Sequence, residues 1–194
     1  MSVIIGLTGP TGSGKSSVKA VAETLGIKVV DCDILARKAV ESGTDGLKAL
    51  VDVFGKEILN PDGALNRKKL AEIAFMSREN TELLNRTIFP HILKLAMCEA
   101  ECGGNIIFDA PTLFESGLNE ICHKTVAVLA RSDIRLKRII NRDNLTEKQA
   151  VLRMSAGKDD QFYKEKADYI LFNNGDIDEF NIKILQILKE IIGG

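Results

Sequence analysis

The chain has 194 residues, of which 45% are hydrophobic, 27% charged and 5% aromatic. That size and balance fit one compact domain, or one core with small appendages, and exclude wholesale disorder. With 26 Lys plus Arg against 27 Asp plus Glu, the formal charge is -1, which excludes coating nucleic acid or an acidic membrane by net charge alone but leaves room for a local basic site.

No apolar stretch approaches the roughly 20 residues needed to cross a bilayer. The N-terminal run has no basic flank and is too short for a signal peptide, so the protein is expected in the cytoplasm. Cysteines stand at 32, 98, 102 and 122 without a Cys-x-x-Cys pair. They read as small buried hydrophobes rather than as a disulfide framework or a metal site.

Short apolar runs bounded by Gly, Asp or Asn predict strands over 3–7, 28–30, 105–108, 125–129 and 169–172. Helical patterns fall at 16–25, 33–41, 80–102, 132–142 and 178–192, the last with Phe180, Ile184, Leu185, Leu188, Ile191 and Ile192 on one apolar face. Strand alternating with helix implies an α/β fold, a parallel sheet covered on both faces. The stretch 42–73 breaks the rhythm with Gly43, Gly46, Gly55, Pro61 and Gly63, and reads as helices joined by turns inside a helical insertion over 42–100.

Gly9-Pro10-Thr11-Gly12-Ser13-Gly14-Lys15-Ser16 matches the phosphate-loop pattern at every fixed position, with a strand leading in and a helix leading out. Glycines let successive N–H groups wrap an anion, and the helix adds its positive end. Lys15 is placed to reach the β- and γ-phosphates, and the Ser16 hydroxyl to ligate Mg2+. Gly9, Thr11, Gly12, Ser13, Gly14, Lys15, Ser16 and Ser17 are therefore the expected contacts to a nucleoside triphosphate. The guanine-reading Asn-Lys-x-Asp and the transporter Ser-Gly-Gly signature are both absent. Asp52-x-x-Gly55 lies in the insertion and not at a strand end. A small-molecule kinase remains.

Such an enzyme needs a carboxylate at the acceptor hydroxyl and cations around the moving phosphoryl group. Asp31 and Asp33 follow the second strand, at the sheet edge where ligands gather. Asp33 is the candidate general base with Asp31 in support; the alternative is that Asp33 only caps the next helix. Asp109 ends the third strand, as a magnesium-shell carboxylate or a turn cap, and Glu115 follows at lower rank. Arg131, Arg135, Arg138 and Arg142 recur at helical spacing, with Arg153 beyond a turn where Thr146 is a candidate cap. They form either a lid over phosphates or a solvated face.

In this order and spacing, the sequence resembles the dephospho-coenzyme A kinase family nearly end to end. The resemblance runs through Ile5-Gly6-Leu7-Thr8-Gly9 and the phosphate loop, then Asp31-Cys32-Asp33-Ile34-Leu35-Ala36-Arg37. It continues in Phe54-Gly55, Ile58-Leu59, Asp62-Gly63, Leu65 and Arg67, in Asp109-Ala110-Pro111-Thr112-Leu113-Phe114-Glu115, and in Arg138, Arg142-Asp143, Arg153, Ala167-Asp168 and Asn174. It implies a P-loop kinase core over 1–41, 101–130 and 167–194, a coenzyme A domain over 42–100 and a lid over 131–166. It implies ATP-dependent phosphorylation of the ribose 3′-hydroxyl of dephospho-coenzyme A, with Mg2+; a monomer is expected, with an oligomer left open. Asp33, Lys15 and Arg138 are then catalytic, Arg142 and Asn174 serve the nucleotide, and Asp31, Arg37, Asp109, Glu115 and Arg153 serve the acceptor. Gly157 stands where that family usually has Gln, and Phe89 where it usually has His, with His91 after Pro90. Another nucleotide kinase, or a nucleotide-binding regulator with little turnover, are the competing readings.

Overall fold

The structure is a computed structural model and describes residues 2–194. Among the described residues, five strands form one sheet in the order β2-β3-β1-β4-β5. They are β1 (Ile4–Thr8), β2 (Lys28–Asp31), β3 (Ile106–Asp109), β4 (Lys124–Leu129) and β5 (Tyr169–Phe172). The pairings of β1 with β3, β1 with β4, and β4 with β5 are all parallel. All five lie within a residue of their expected positions. Strands so short and so apolar hold together only when covered on both faces, and this sheet is built that way.

The chain divides into two compact units. The first comprises residues 1–30, 103–114 and 118–194. Its core joins Ile5, Leu7, Ile107, Val126 and Val128 of the sheet to Val18 and Ala22 of α1 (Lys15–Thr24) and to Phe180, Ile184 and Leu188 of the last helix. That helix spans Ile177–Gly193, and the apolar face read from its periodicity is the buried one. Asp168 locks the starts of β4 and β5 together: its carboxylate accepts from the Thr125 amide at 2.7 Å and hydroxyl at 2.6 Å, and its own amide donates back to that hydroxyl at 3.0 Å.

The second unit comprises residues 31–102 and 115–117. It holds α2 (Cys32–Lys38), α3 (Asp45–Phe54), a 3-10 turn at Lys56–Ile58, α4 (Arg67–Ala74) and α5 (Arg78–Glu101). Thr44, Asn66 and Ser77 cap α3, α4 and α5 with side-chain oxygens. Leu50, Phe54, Ile58 and Leu70 make a core separate from that of the first unit. The helices and turns expected over 42–73 are present, while the unit itself starts at residue 31.

The remaining helices, α6 (Ser132–Asp143), α7 (Glu147–Ser155) and α8 (Asp160–Lys166), belong to the first unit, and the helix over Ile177–Gly193 is α9. Thr146 and Gln149 form a reciprocal capping box at the start of α7. The four cysteines do not share one environment: Cys32 is buried, Cys122 half-buried, and Cys98 and Cys102 are exposed on the last turn of α5 and just past it. Burial pushes the Cys122 thiol up to about 12. The expectation of four buried cysteines fails because the end of α5 presents no apolar face there. Among the described residues no helix is long and apolar enough to cross a membrane.

Candidate active site

Register brings the phosphate loop and Asp109 together. Leu7 on β1 lies opposite Asp109 on β3, so the chain leaving β1 turns into the loop beside that carboxylate. Within the loop the Ser13 amide donates to the Pro10 carbonyl at 3.2 Å, and Lys15 Nζ reaches back to the Gly9 carbonyl at 3.2 Å. Gly14 occupies the N-cap of α1 at φ 99°, and no side chain caps the helix. The positive end of α1 is thereby offered to an anion rather than closed by a Ser or Asp oxygen.

Two of the loop glycines are dictated by the protein as well as by a ligand. A Cβ at Gly9 would collide with the Val128 carbonyl, and one at Gly14 with the Asn173 amide group. Both residues also sit at positive φ, which costs other residues conformational energy.

The outer side of the loop is gripped by basic and amide side chains. Arg135, only 7% exposed, donates from Nε to the Thr11 carbonyl at 3.0 Å and pairs with Asp160 at 3.6 Å. Burial pulls its guanidinium below the ordinary arginine value, and Asp160 opposes that. Arg138 donates to the Gly12 and Ser13 carbonyls at 3.4 and 3.2 Å and to Asn173 Oδ1 at 3.0 Å. Buried Asn173 donates to the Ser13 carbonyl at 2.9 Å. The arginines of the series do not share one environment. Arg131 precedes α6 and pairs with Asp133, Arg135 is a buried strut, and Arg138 is seated on the loop.

Arg142 and Arg153 converge on one carboxylate. Asp143 accepts from Arg142 at 2.8 Å on each oxygen and from Arg153 Nη1 at 2.7 Å. The hydrogen-bonded Arg142 holds the Asp143 carboxyl below its ordinary range. Asn174 is exposed, and its Oδ1 accepts from the Arg131 amide at 2.7 Å, which fixes the approach to α6.

Sequence reasoning missed Lys19, Asp160 and Asn173. Lys19 stands one turn after Lys15 on α1, and its ammonium lies 3.0 Å from Asp109 Oδ2. Helical spacing from the loop lysine was the available signal; nothing local marked Asp160 or Asn173. Two side-chain oxygens at this end of the sheet are buried without a hydrogen-bond partner, Ser13 Oγ and Asp109 Oδ1. Buried oxygens are ordinarily satisfied, so both point to a ligand or ordered water.

In the second unit, α2 carries the acceptor-side candidates. Asp31 is its N-cap, accepting from the Asp33 amide at 2.9 Å. The cap considered for Asp33 therefore belongs to Asp31, and Asp33 lies in the first turn, exposed, as is Arg37 one turn on. Arg67 donates to the Arg37 carbonyl at 3.4 Å and closes the far end of α2. His91 lies against Gly46 of α3, where a Cβ would strike the Ala39 carbonyl. Phe89 is half-buried on α5, and Glu115 is exposed.

The profile of the family described as "Dephospho-CoA kinase" matches residues 3–179. A dephospho-CoA kinase of Listeria monocytogenes serotype 4b is 40% identical, covering 99% of this chain and 98% of its own. One from Oryza sativa is 34% identical, covering 97% and 84%. Among solved structures, a dephospho-CoA kinase from Campylobacter jejuni superposes with a TM-score of 0.70 at 26% identity, covering 98% of each chain. A Thermus thermophilus protein reaches 0.80 at 29% identity over 97% of each. A shikimate kinase from Bacteroides thetaiotaomicron, at 16% identity and a TM-score of 0.53, shares the fold. With its phosphate loop, its parallel sheet and its full-length match to that profile, this chain belongs to the dephospho-coenzyme A kinase family.

Proposed function

We propose that the chain transfers the γ-phosphoryl group of ATP to the ribose 3′-hydroxyl of dephospho-coenzyme A, with Asp33 as general base. The observation that carries this reading is the uncapped, glycine-lined phosphate loop of the first unit; in the second unit Asp33 stands exposed in the first turn of a helix that Asp31 caps.

In this reading Asp33 accepts the 3′-hydroxyl proton as the new O–P bond forms and the bond to the ADP oxygen breaks. Lys15 neutralises charge on the β- and γ-phosphates. Arg138, seated on the loop carbonyls, offers a cation whose position does not have to be set during the reaction. Amides of Gly12, Gly14 and Ser16 line the phosphates, with Gly9, Thr11, Ser13 and Ser17 shaping the turn and the first turn of α1. Arg142 and Asn174 stand on the nucleotide side. Arg37, Asp31, Glu115 and Arg153 are assigned to the acceptor.

Mg2+ fits the donor set. Asp109 Oδ1, buried without a hydrogen-bond partner, and the Ser16 hydroxyl are the oxygens that would hold it. The ion would supply charge neutralisation at the phosphates.

The test is an ATP-dependent assay on dephospho-coenzyme A with the product's phosphorus position read by NMR. Formation of the 3′-phosphate is expected. Turnover confined to nucleoside monophosphates, or none with any acceptor, would overturn the reading.

A further inference from the structure

Asp109 is fixed along its backbone and at one of its two carboxylate oxygens. Leu7 lies opposite it in the sheet, and the Ala110 amide just beyond it donates to the Leu7 carbonyl at 2.9 Å. The following residue is held as well, since the Pro111 carbonyl accepts from the Thr8 hydroxyl at 3.4 Å. Phe108 and Ala110 on either side are buried. The main chain therefore leaves Asp109 little freedom except rotation of its side chain, whose terminal torsion is broad and has no sharp preference of its own. Lys19 acts on that rotation. Its ammonium lies 3.0 Å from Oδ2, and the carboxylate side chain is only 11% exposed. Oδ1 is buried with no hydrogen-bond partner among the described residues.

A carboxylate that turns over exchanges its two oxygens, and neither then faces a ligand steadily. A charge-assisted hydrogen bond to one oxygen stops that exchange and leaves the other as the open acceptor. Lys19 has a firm base from which to do so. It lies on α1 one turn after Lys15, on the same face. Its neighbour Val18 is packed into the core with Ile5, Leu7 and Ile107 of the sheet. Lys19 and Asp109 belong to the same compact unit. The residue type matters too: an ammonium is a compact point charge that can take a single oxygen, whereas a guanidinium fork takes both. A buried carboxylate oxygen is ordinarily satisfied, so the open Oδ1 calls for an outside partner. A divalent cation, or a water that it carries, is such a partner.

We propose that Lys19 is a positioning residue for the metal: by holding Oδ2 it turns Oδ1 of Asp109 toward Mg2+ or a water of its shell. The proposal rests on the kinase reading above, in which Asp109 serves the ion. It separates two lysines one turn apart, Lys15 acting on the phosphates and Lys19 acting through a carboxylate. Carboxylates that serve a metal are themselves held by hydrogen bonds from outside, and loss of such an outer partner costs about 10–100-fold in metal affinity or activity.

Mn2+ binding, read by electron paramagnetic resonance on the whole protein with a non-hydrolysable ATP analogue present, tests it. In Lys19→Met, which keeps the length and loses the charge, the Mn2+ dissociation constant is expected to rise about tenfold. Affinity for the analogue in EDTA should stay within about twofold of wild type, since Lys19 is not assigned to the phosphates. Lys19→Gln, which keeps a neutral donor, should fall between wild type and Lys19→Met. In an Asp109→Asn background, Lys19→Met should change Mn2+ affinity by less than about twofold, because the two residues act as one unit. A loss of analogue affinity in EDTA equal to the loss of Mn2+ affinity would make Lys19 a phosphate contact. Unchanged Mn2+ affinity with lowered thermal stability would make the ion pair structural alone. Either result, or a tenfold effect that persists without Asp109, overturns the proposal. Wild-type enzyme inactive on dephospho-coenzyme A would instead sink the kinase reading; Mn2+ binding is read without turnover, so the two failures are distinguishable.

Discussion

The loop between β1 and α1 and the helix α2 carry the two halves of the proposed chemistry, and they are built in opposite ways. The loop is held from its outer side by Arg135, Arg138 and Asn173, and two of its glycines press against backbone or amide neighbours. Its geometry is braced by the protein's own contacts. Helix α2 is seven residues long, capped at one end by Asp31 and closed at the other by Arg67, with Asp33 and Arg37 exposed between them. The loop is braced along its length, while on α2 the side chains assigned to the acceptor stand exposed between two held ends. Stiffness strengthens electrostatic stabilisation, because the donors need no reorganisation during reaction.

The largest effect that would break this contrast is loss of the loop cation. Lys15→Ala should lower kcat by about a thousandfold, as removing a fixed transition-state charge does elsewhere, measured in the ADP-release assay. Gly14→Ala comes next. It forces a side chain into φ 99° and against Asn173, and should destabilise by about 1–3 kcal/mol in chemical denaturation while also weakening ATP binding in calorimetry. Arg135→Met removes the buried strut while keeping its length. It should cost about 1–3 kcal/mol and raise the KM for ATP; if thermal stability falls and that KM does not move, the strut supports the fold alone.

The smallest effect is on pH dependence. Burial raises the Asp168 carboxyl, but hydrogen bonds from the Thr125 hydroxyl and amide outweigh it and hold it below the ordinary 3.8. A carboxyl depressed in the folded state contributes stability that is complete above that value and lost as pH falls below it. Unfolding curves should therefore steepen in acid below 3.8, and Asp168→Asn should flatten that limb.

How much was legible in the sequence follows the same division. The sheet was legible because each strand is a short apolar run flanked by turn residues, and the phosphate loop because its geometry demands glycines at fixed spacing. The roles of Arg135 and Asn173 were not, since their partners lie 124 and 160 residues away along the chain. Helical spacing of arginines suggested a shared lid, but spacing cannot say which arginine is buried. Capping of the next helix stood as the alternative role for Asp33, and the extended backbone of Asp31 makes that residue the cap instead. The split into two units at residue 31 rather than 42 was hidden for the same reason: α2 follows β2 with no linker, so composition does not change where the packing does.

In the proposed reaction the first unit binds the nucleotide and Asp33 supplies the proton transfer. Asp33→Asn separates the two when the ATP dissociation constant, by calorimetry, and the turnover of dephospho-coenzyme A are measured on the same preparation. ATP affinity should stay within about twofold of wild type while turnover falls by about a hundredfold or more, the usual range for a lost general base. Turnover that survives the substitution, or ATP affinity that collapses with it, would rule out Asp33 as the base.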